Sequence, residues 1–190
     1  MAPAHVKPEY KFENGLCLIF NHKLYHPKFG NGLREREGTE ADVRALTDYF
    51  KESGFTVKDF HDQTVKEIKQ LLNDYAQNKY KLKCDILVTV VLTHGGEDKL
   101  YAYDDPYNLD VLYKPFLPQN CELLKNKPKV FLISACQGKK RDKGISYDFS
   151  KVPLNAPTDD DYLVIMSAVP GFEAFRHNHQ GTFAKAENLD

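Results

Sequence analysis

The chain is expected to fold as an α/β domain on a mostly parallel sheet, and three observations lead there. Strand-length apolar runs at Leu16–Phe20, Ile86–Leu92 and Val130–Ile133 are continuous rather than alternating, the mark of strands covered on both faces. Between the runs lie segments with helical spacing, and parallel neighbours need such crossovers. The 190 residues are enough for one sizeable core, and 26 basic residues nearly cancel 27 acidic ones. That balance gives no global field for nucleic acid or a membrane surface. Cys17, Cys84, Cys121 and Cys136 form no C-x-x-C pair, so they read as reduced thiols of a cytoplasmic protein rather than a disulfide frame or zinc site. No apolar h-region opens the chain and no run is long enough to span a bilayer, so neither a signal peptide nor a membrane segment is expected.

Residues 1–14 carry prolines and mixed charge and read as a short disordered lead. After the first strand, a polar loop reaches Arg36-Glu37-Gly38, and Thr39 is placed to cap a helix with Val43, Leu46 and Phe50 on one face, ended by Gly54. Phe55–Phe60 is a second strand. Thr64 and Glu67 have capping-box spacing ahead of Ile68, Leu71, Leu72 and Tyr75. Ile86–Leu92 is the central strand, followed by a small hairpin over residues 97–106 and a short helix over Leu109–Phe116. Val130–Ile133 is the fourth strand and Tyr162–Ser167 the fifth, with a turn at Val169–Phe172 and the start of a helix from Gly181. The runs Lys139–Lys143 and Asp159–Asp161 read mainly as solvated faces.

Two strand ends carry candidate chemistry. Cys136 follows the fourth strand, and His94 follows the central one. A lone cysteine there is more often an inert core residue, and a lone histidine more often structural. Together they fit a thiolate nucleophile with an imidazole that stabilises it and protonates the leaving amine. Gly95 and Gly138 beside them leave room for backbone N–H groups to meet an oxyanion. A metal site is a remote alternative. His22 and His26 sit in a Gly/Pro-containing loop, and His177 and His179 lack an evident third ligand, so neither a metal nor a cofactor is expected.

Ser134-Ala135-Cys136-Gln137-Gly138 with Thr93-His94-Gly95 upstream resembles the catalytic pair of the caspases. Cys17–His22, Arg36–Glu40, Gly54–Val57, Lys127–Phe131 and Val169–Phe172 fall in the same order as in that family, most closely its executioner, insect- or invertebrate-like type. The resemblance implies a three-layer caspase-like fold with a large-subunit-like region at 15–143, an intersubunit-like linker at 144–161 and the start of a small-subunit-like region at 162–190. It implies a cysteine endopeptidase cutting protein substrates after aspartate in apoptosis or related signalling. Cys136 would be the nucleophile, His94 the acid/base, and the Gly95 and Cys136 backbone N–H groups the oxyanion hole. Arg36 and Arg176 would clamp the substrate carboxylate, a task that suits the planar guanidinium fork. Taken outside those motifs, each arginine is simply a solvated surface residue.

The pattern is also broken. Ser134 stands where the family has Gln, Ala174 where it has Ser, Phe175 where it has Trp, and Glu173 where an aromatic residue lines the next subsite. Losing one bond to a charged group costs roughly 1.5–3 kcal/mol, so an altered aspartate pocket implies weakened activity. The linker is short, with Asp148 as its candidate processing site and Asp159, Asp160 and Asp161 as alternatives to a merely solvated run. The family continues past the Gly181-Thr182-Phe183 position to an edge strand that pairs two units, so the chain reads as C-terminally shortened and the usual homodimer as doubtful. These departures support a second reading, a non-catalytic homologue (decoy or regulator) that binds a caspase partner or a caspase inhibitor.

Overall fold

A computed structural model of the chain describes residues 11–96, 99–135 and 161–167. Five strands form one parallel sheet: β1 (Gly15–Asn21), β2 (Phe55–His61), β3 (Ile86–Leu92), β7 (Lys129–Ser134) and β8 (Tyr162–Met166), in the spatial order β2-β1-β3-β7-β8. Helix α1 (Thr39–Glu52) covers one face and α2 (Val65–Ala76) and α3 (Asp110–Tyr113) the other, which gives three layers. The expected α/β fold with its mostly parallel sheet is therefore present. Residues alternate between the layers: Cys17 and Ile19 pack toward Val43 and Phe50 of α1, while Leu16, Leu18 and Phe20 pack toward Ile68, Leu72 and Tyr75 of α2. The continuous burial of β1 and β3 follows from that double cover.

Local signals set the element ends. Thr64 caps α2 in a full capping box with Glu67, and Gly54 leaves α1 with φ of +83°, a conformation that favours glycine. Thr39 behaves otherwise than expected. Gly38 is the cap residue of α1, and the Thr39 hydroxyl turns away to donate to Asn21 Oδ1 at 2.6 Å and accept from Arg36 Nη1 at 3.0 Å. The expected hairpin is a three-stranded antiparallel sheet of β4 (Gly95–Gly96), β5 (Lys99–Tyr101) and β6 (Pro106–Tyr107). Helix α3 tightens into a 3-10 turn at Lys114–Phe116, where Pro115 offers no N–H to continue it. Ahead of β1, the Phe12 ring meets Phe55 edge-on at 5.3 Å and the Asn14 side chain donates to Asp85 Oδ2. Residues 1–10 of the lead, the turn at 169–172 and the helix from Gly181 lie outside the described residues.

Lys129 is the one long cation among the largest fully buried side chains of the described residues, 1% exposed at the start of β7. Its Nζ donates to the carbonyls of Leu124 and Lys127 at 2.9 and 2.7 Å and sits 4.6 Å from the centre of the Tyr162 ring. It ties the approach to β7 to the edge strand β8. Lys129→Met keeps most of the stem but strands both carbonyls, and a loss of about 2–4 kcal/mol is expected in urea unfolding. An unchanged midpoint would show that the lysine does not hold this corner.

The strand order places the site. β1 connects outward to β2 and β3 connects to β7 on the opposite side, so the connections diverge at the carboxyl edge, the place where open α/β sheets bind ligands.

Candidate active site

Three residues line up across the carboxyl edge: Asn21 pairs with Leu92, and Leu92 with Ser134. The ladder runs one step further, with His22 N–H donating to Leu92 O at 2.8 Å and Thr93 N–H to Ser134 O at 3.1 Å. His94 therefore leaves β3 beside the end of β7. Ala135, buried at 2% exposure, is the last described residue there, and Cys136 is bonded to it. Cys136, Arg176, Glu173 and Phe175 lie outside the described residues, as do Gly138, Ala174, Asp148, Asp159 and Asp160.

The His94 ring is held by a backbone group. Nε2 lies 2.7 Å from Arg34 O, and a carbonyl can only accept, so Nε2 carries the proton. In the neutral ring the lone pair is then on Nδ1, the atom left to act as base. The ring also lies against Tyr25, centroids 5.0 Å apart. Gly95 and Gly96 form β4, against Leu100 and Lys99 of β5.

Arg36 lies at the same edge, 7% exposed, with Nη1 donating to His22 O at 2.9 Å and to Thr39 Oγ1 at 3.0 Å. Two acceptors in fixed directions orient the guanidinium plane, which a bidentate carboxylate contact requires. Ser134 is 3% exposed, and its carbonyl is the Thr93 acceptor. Asp161, the described member of the aspartate run, uses its carbonyl to accept the Lys129 N–H at 2.8 Å.

Sequence reasoning did not single out Tyr25, Arg34 or Thr39 as site residues, nor the Thr93 hydroxyl. Arg34 acts through its carbonyl, which leaves no side-chain signature. Tyr25 sits in a polar loop whose path the residue pattern does not fix.

His22 is fully buried, and among the described residues neither ring nitrogen has a hydrogen-bond partner. Burial first, then the charge of Arg36, lower its pKa from 6.5 to about 3. The proton is thus favoured in the unfolded chain, so stability present above pH 6.5 is lost as pH falls from there toward 3. Between pH 6.5 and 4.5 the loss is expected to reach about 2–3 kcal/mol, and His22→Gln should flatten it in denaturant unfolding at the two pH values. An equal slope in both proteins would rule His22 out as the source.

The three described thiols are poor nucleophiles. Burial raises the Cys17 pKa to about 12 and the Cys84 pKa to about 11, and raises that of Cys121 as well. Brief treatment of the native chain with iodoacetamide near pH 7.5 should therefore spare all three, and peptide mapping that found them alkylated would contradict their burial. Among the described residues no group of three or more His, Cys, Asp or Glu is placed to hold a metal ion. His22 faces the interior, while His26 Nδ1 accepts the Lys28 N–H.

A three-layer α/β domain with an imidazole and a guanidinium at its topological switch point belongs to the class of folds that build sites from strand-end loops. Within that class the sequence matches the family model described as Caspase domain over residues 14–186. Relatives include caspase drICE of Drosophila melanogaster, 32% identical over 89% of this chain and 51% of its own length, and mouse caspase-3, 31% identical over 90% and 62%. The crystal structure of caspase-1 from Spodoptera frugiperda superposes with a TM-score of 0.73 at 32% identity, covering 92% of this chain and 70% of that one. The chain belongs to the caspase family. It spans roughly half to three fifths of the length of these curated relatives.

Proposed function

We propose that this chain is a cysteine endopeptidase that cleaves protein substrates after aspartate, acting in apoptosis or related cytoplasmic signalling. The observation that carries the reading is the register: Leu92 pairs with Ser134, and the proposed base and nucleophile each follow two residues later. Leu92 and Ser134 end neighbouring parallel strands at one edge, near the anchored Arg36, and that supports a shared site for the two groups that follow them.

In the proposed mechanism Arg36, with Arg176, grips the substrate carboxylate. The Cys136 thiol passes its proton to His94 Nδ1, the thiolate attacks the scissile carbonyl, and backbone N–H groups of Gly95 and Cys136 hold the oxyanion. The imidazole then gives its Nδ1 proton to the departing amine, and the S–C bond remains as an acyl-enzyme. Water, losing a proton to Nδ1, releases the acid and restores the thiol. Expression of the chain with Asp-ending fluorogenic peptides tests this; cleavage should require Cys136 and fall sharply when Asn replaces the Asp. Equal rates for chain and Cys136→Ala control would remove the enzymatic reading.

Ser134, Ala174 and Glu173, which depart from the family's aspartate pocket, favour a second reading, a non-catalytic homologue that binds an active caspase or a caspase inhibitor and modulates it. Its mark would be altered turnover of a full-length caspase on mixing, undiminished by Cys136→Ala. No association and no rate change would exclude it.

A further inference from the structure

We infer that Tyr25 is a positioning residue that locks the His94 segment and joins it to Arg36, an inference that rests on the peptidase reading. The Tyr25 oxygen accepts the His94 backbone N–H at 3.0 Å, lies 3.0 Å from Thr93 Oγ1 and 3.3 Å from His22 O, and its ring lies against the His94 imidazole. Proton counting fixes the directions. Thr93 donates its one hydroxyl proton to Tyr101 O at 2.5 Å, so Thr93 Oγ1 is an acceptor toward Tyr25. The single Tyr25 proton is then shared between Thr93 Oγ1 and the more distant His22 carbonyl.

The result is a directed chain, His94 N–H to Tyr25, Tyr25 to Thr93, Thr93 to Tyr101 O, closed by Tyr101 N–H donating to His94 O at 3.0 Å. Each bond polarises the next in a partly buried setting. The ring of bonds fixes both peptide groups of His94, while the phenol ring lying tilted against it limits rotation of the imidazole away from Arg34 O. His22 O is the shared acceptor, since Arg36 Nη1 donates to it as well. Base and clamp are therefore referenced to one carbonyl just beyond β1. Burial raises the Tyr25 pKa, so the hydroxyl keeps its proton through the working range.

The test is Tyr25→Phe in the full chain, with Tyr107→Phe as control, because the Tyr107 hydroxyl is buried with no hydrogen-bond partner among the described residues. In the Cys136→Ala background, histidine 15N spectra assigned by loss in His94→Gln should show His94 as the Nε2–H tautomer. Tyr25→Phe should shift that signal toward averaged tautomers, and Tyr107→Phe should not. With Cys136 present, Tyr25→Phe should lower kcat about tenfold with KM within about twofold, and Thr93→Val should act in the same direction. Unchanged His94 ring signals in Tyr25→Phe would overturn the inference whatever the rates. So would unfolding of both Tyr25→Phe and Thr93→Val, which would assign the hydroxyl chain to stability alone. A ring shift in a chain whose wild type hydrolyses nothing would sink the peptidase reading and leave the tether standing.

Discussion

Cys136→Ala and His94→Ala are each expected to reduce hydrolysis of an Asp-ending peptide to nearly the same residual level, and the double variant should fall no further. In the proposed mechanism the thiolate and the imidazole act as one device, since the base that stabilises the nucleophile is the acid that releases the amine. Single losses in such a unit are therefore non-additive. General acid–base assistance alone contributes about 10²–10⁴-fold, and removal of the nucleophile removes the covalent path altogether. Thermal unfolding should separate catalysis from folding. His94 makes its backbone bonds to Tyr25 and Tyr101 through N–H and C=O, so the alanine variant keeps them and the melting temperature should move little. A His94→Ala protein with undiminished turnover would remove that residue from the chemistry.

Arg36→Lys is expected to lower kcat/KM for the Asp-ending peptide by about 10²-fold while leaving cleavage of an uncharged analogue, however slow, nearly unchanged. Lysine keeps the charge but loses the fork. In the wild-type chain Nη1 is engaged by His22 O and Thr39 Oγ1, and that anchoring fixes the guanidinium plane that the proposed carboxylate contact would use. An ammonium group satisfies one such acceptor at a time and presents a point charge instead. Stability should fall by about 1–2 kcal/mol as the near-buried acceptors lose a partner, which urea unfolding would register apart from the rate. An equal loss for both peptides would mean that Arg36 supports the fold rather than reading the aspartate.

The main sheet could be read almost directly from sequence, because its strands are covered on both faces and leave uninterrupted apolar runs. β1, β3 and β7 are of that kind, and the Thr64–Glu67 box announces α2 through side chains that have one local job. Thr39 shows where such reasoning stops. Its residue type and position point to a cap, but the hydroxyl finds stronger partners in Asn21 and Arg36, which come from a loop and a strand end brought there by the tertiary fold. The short antiparallel strands at Gly95–Gly96 and Pro106–Tyr107 leave too few residues for a periodic signal. At the site, His94 and Arg36 were legible through the motifs around them. The fixed tautomer was not, because a carbonyl supplied by Arg34 exists in every residue and becomes a partner only by position. Tyr25 was hidden for the same reason, since nothing in Lys23-Leu24-Tyr25-His26 marks the tyrosine as the point where two loops meet.

In the proposed mechanism the thiol following β7 is the reactive one and is activated by His94. Intact-mass and peptide mapping of the native chain treated with a peptide aldehyde analogue is reversible and less decisive than an irreversible electrophile ending in aspartate. With an Asp-ending chloromethyl ketone, a single adduct at Cys136 is expected, much slower in His94→Ala and in Arg36→Lys, with Cys17, Cys84 and Cys121 unmodified. Absence of the adduct, or labelling at the same rate in the His94→Ala chain, would exclude Cys136 as a nucleophile activated by His94.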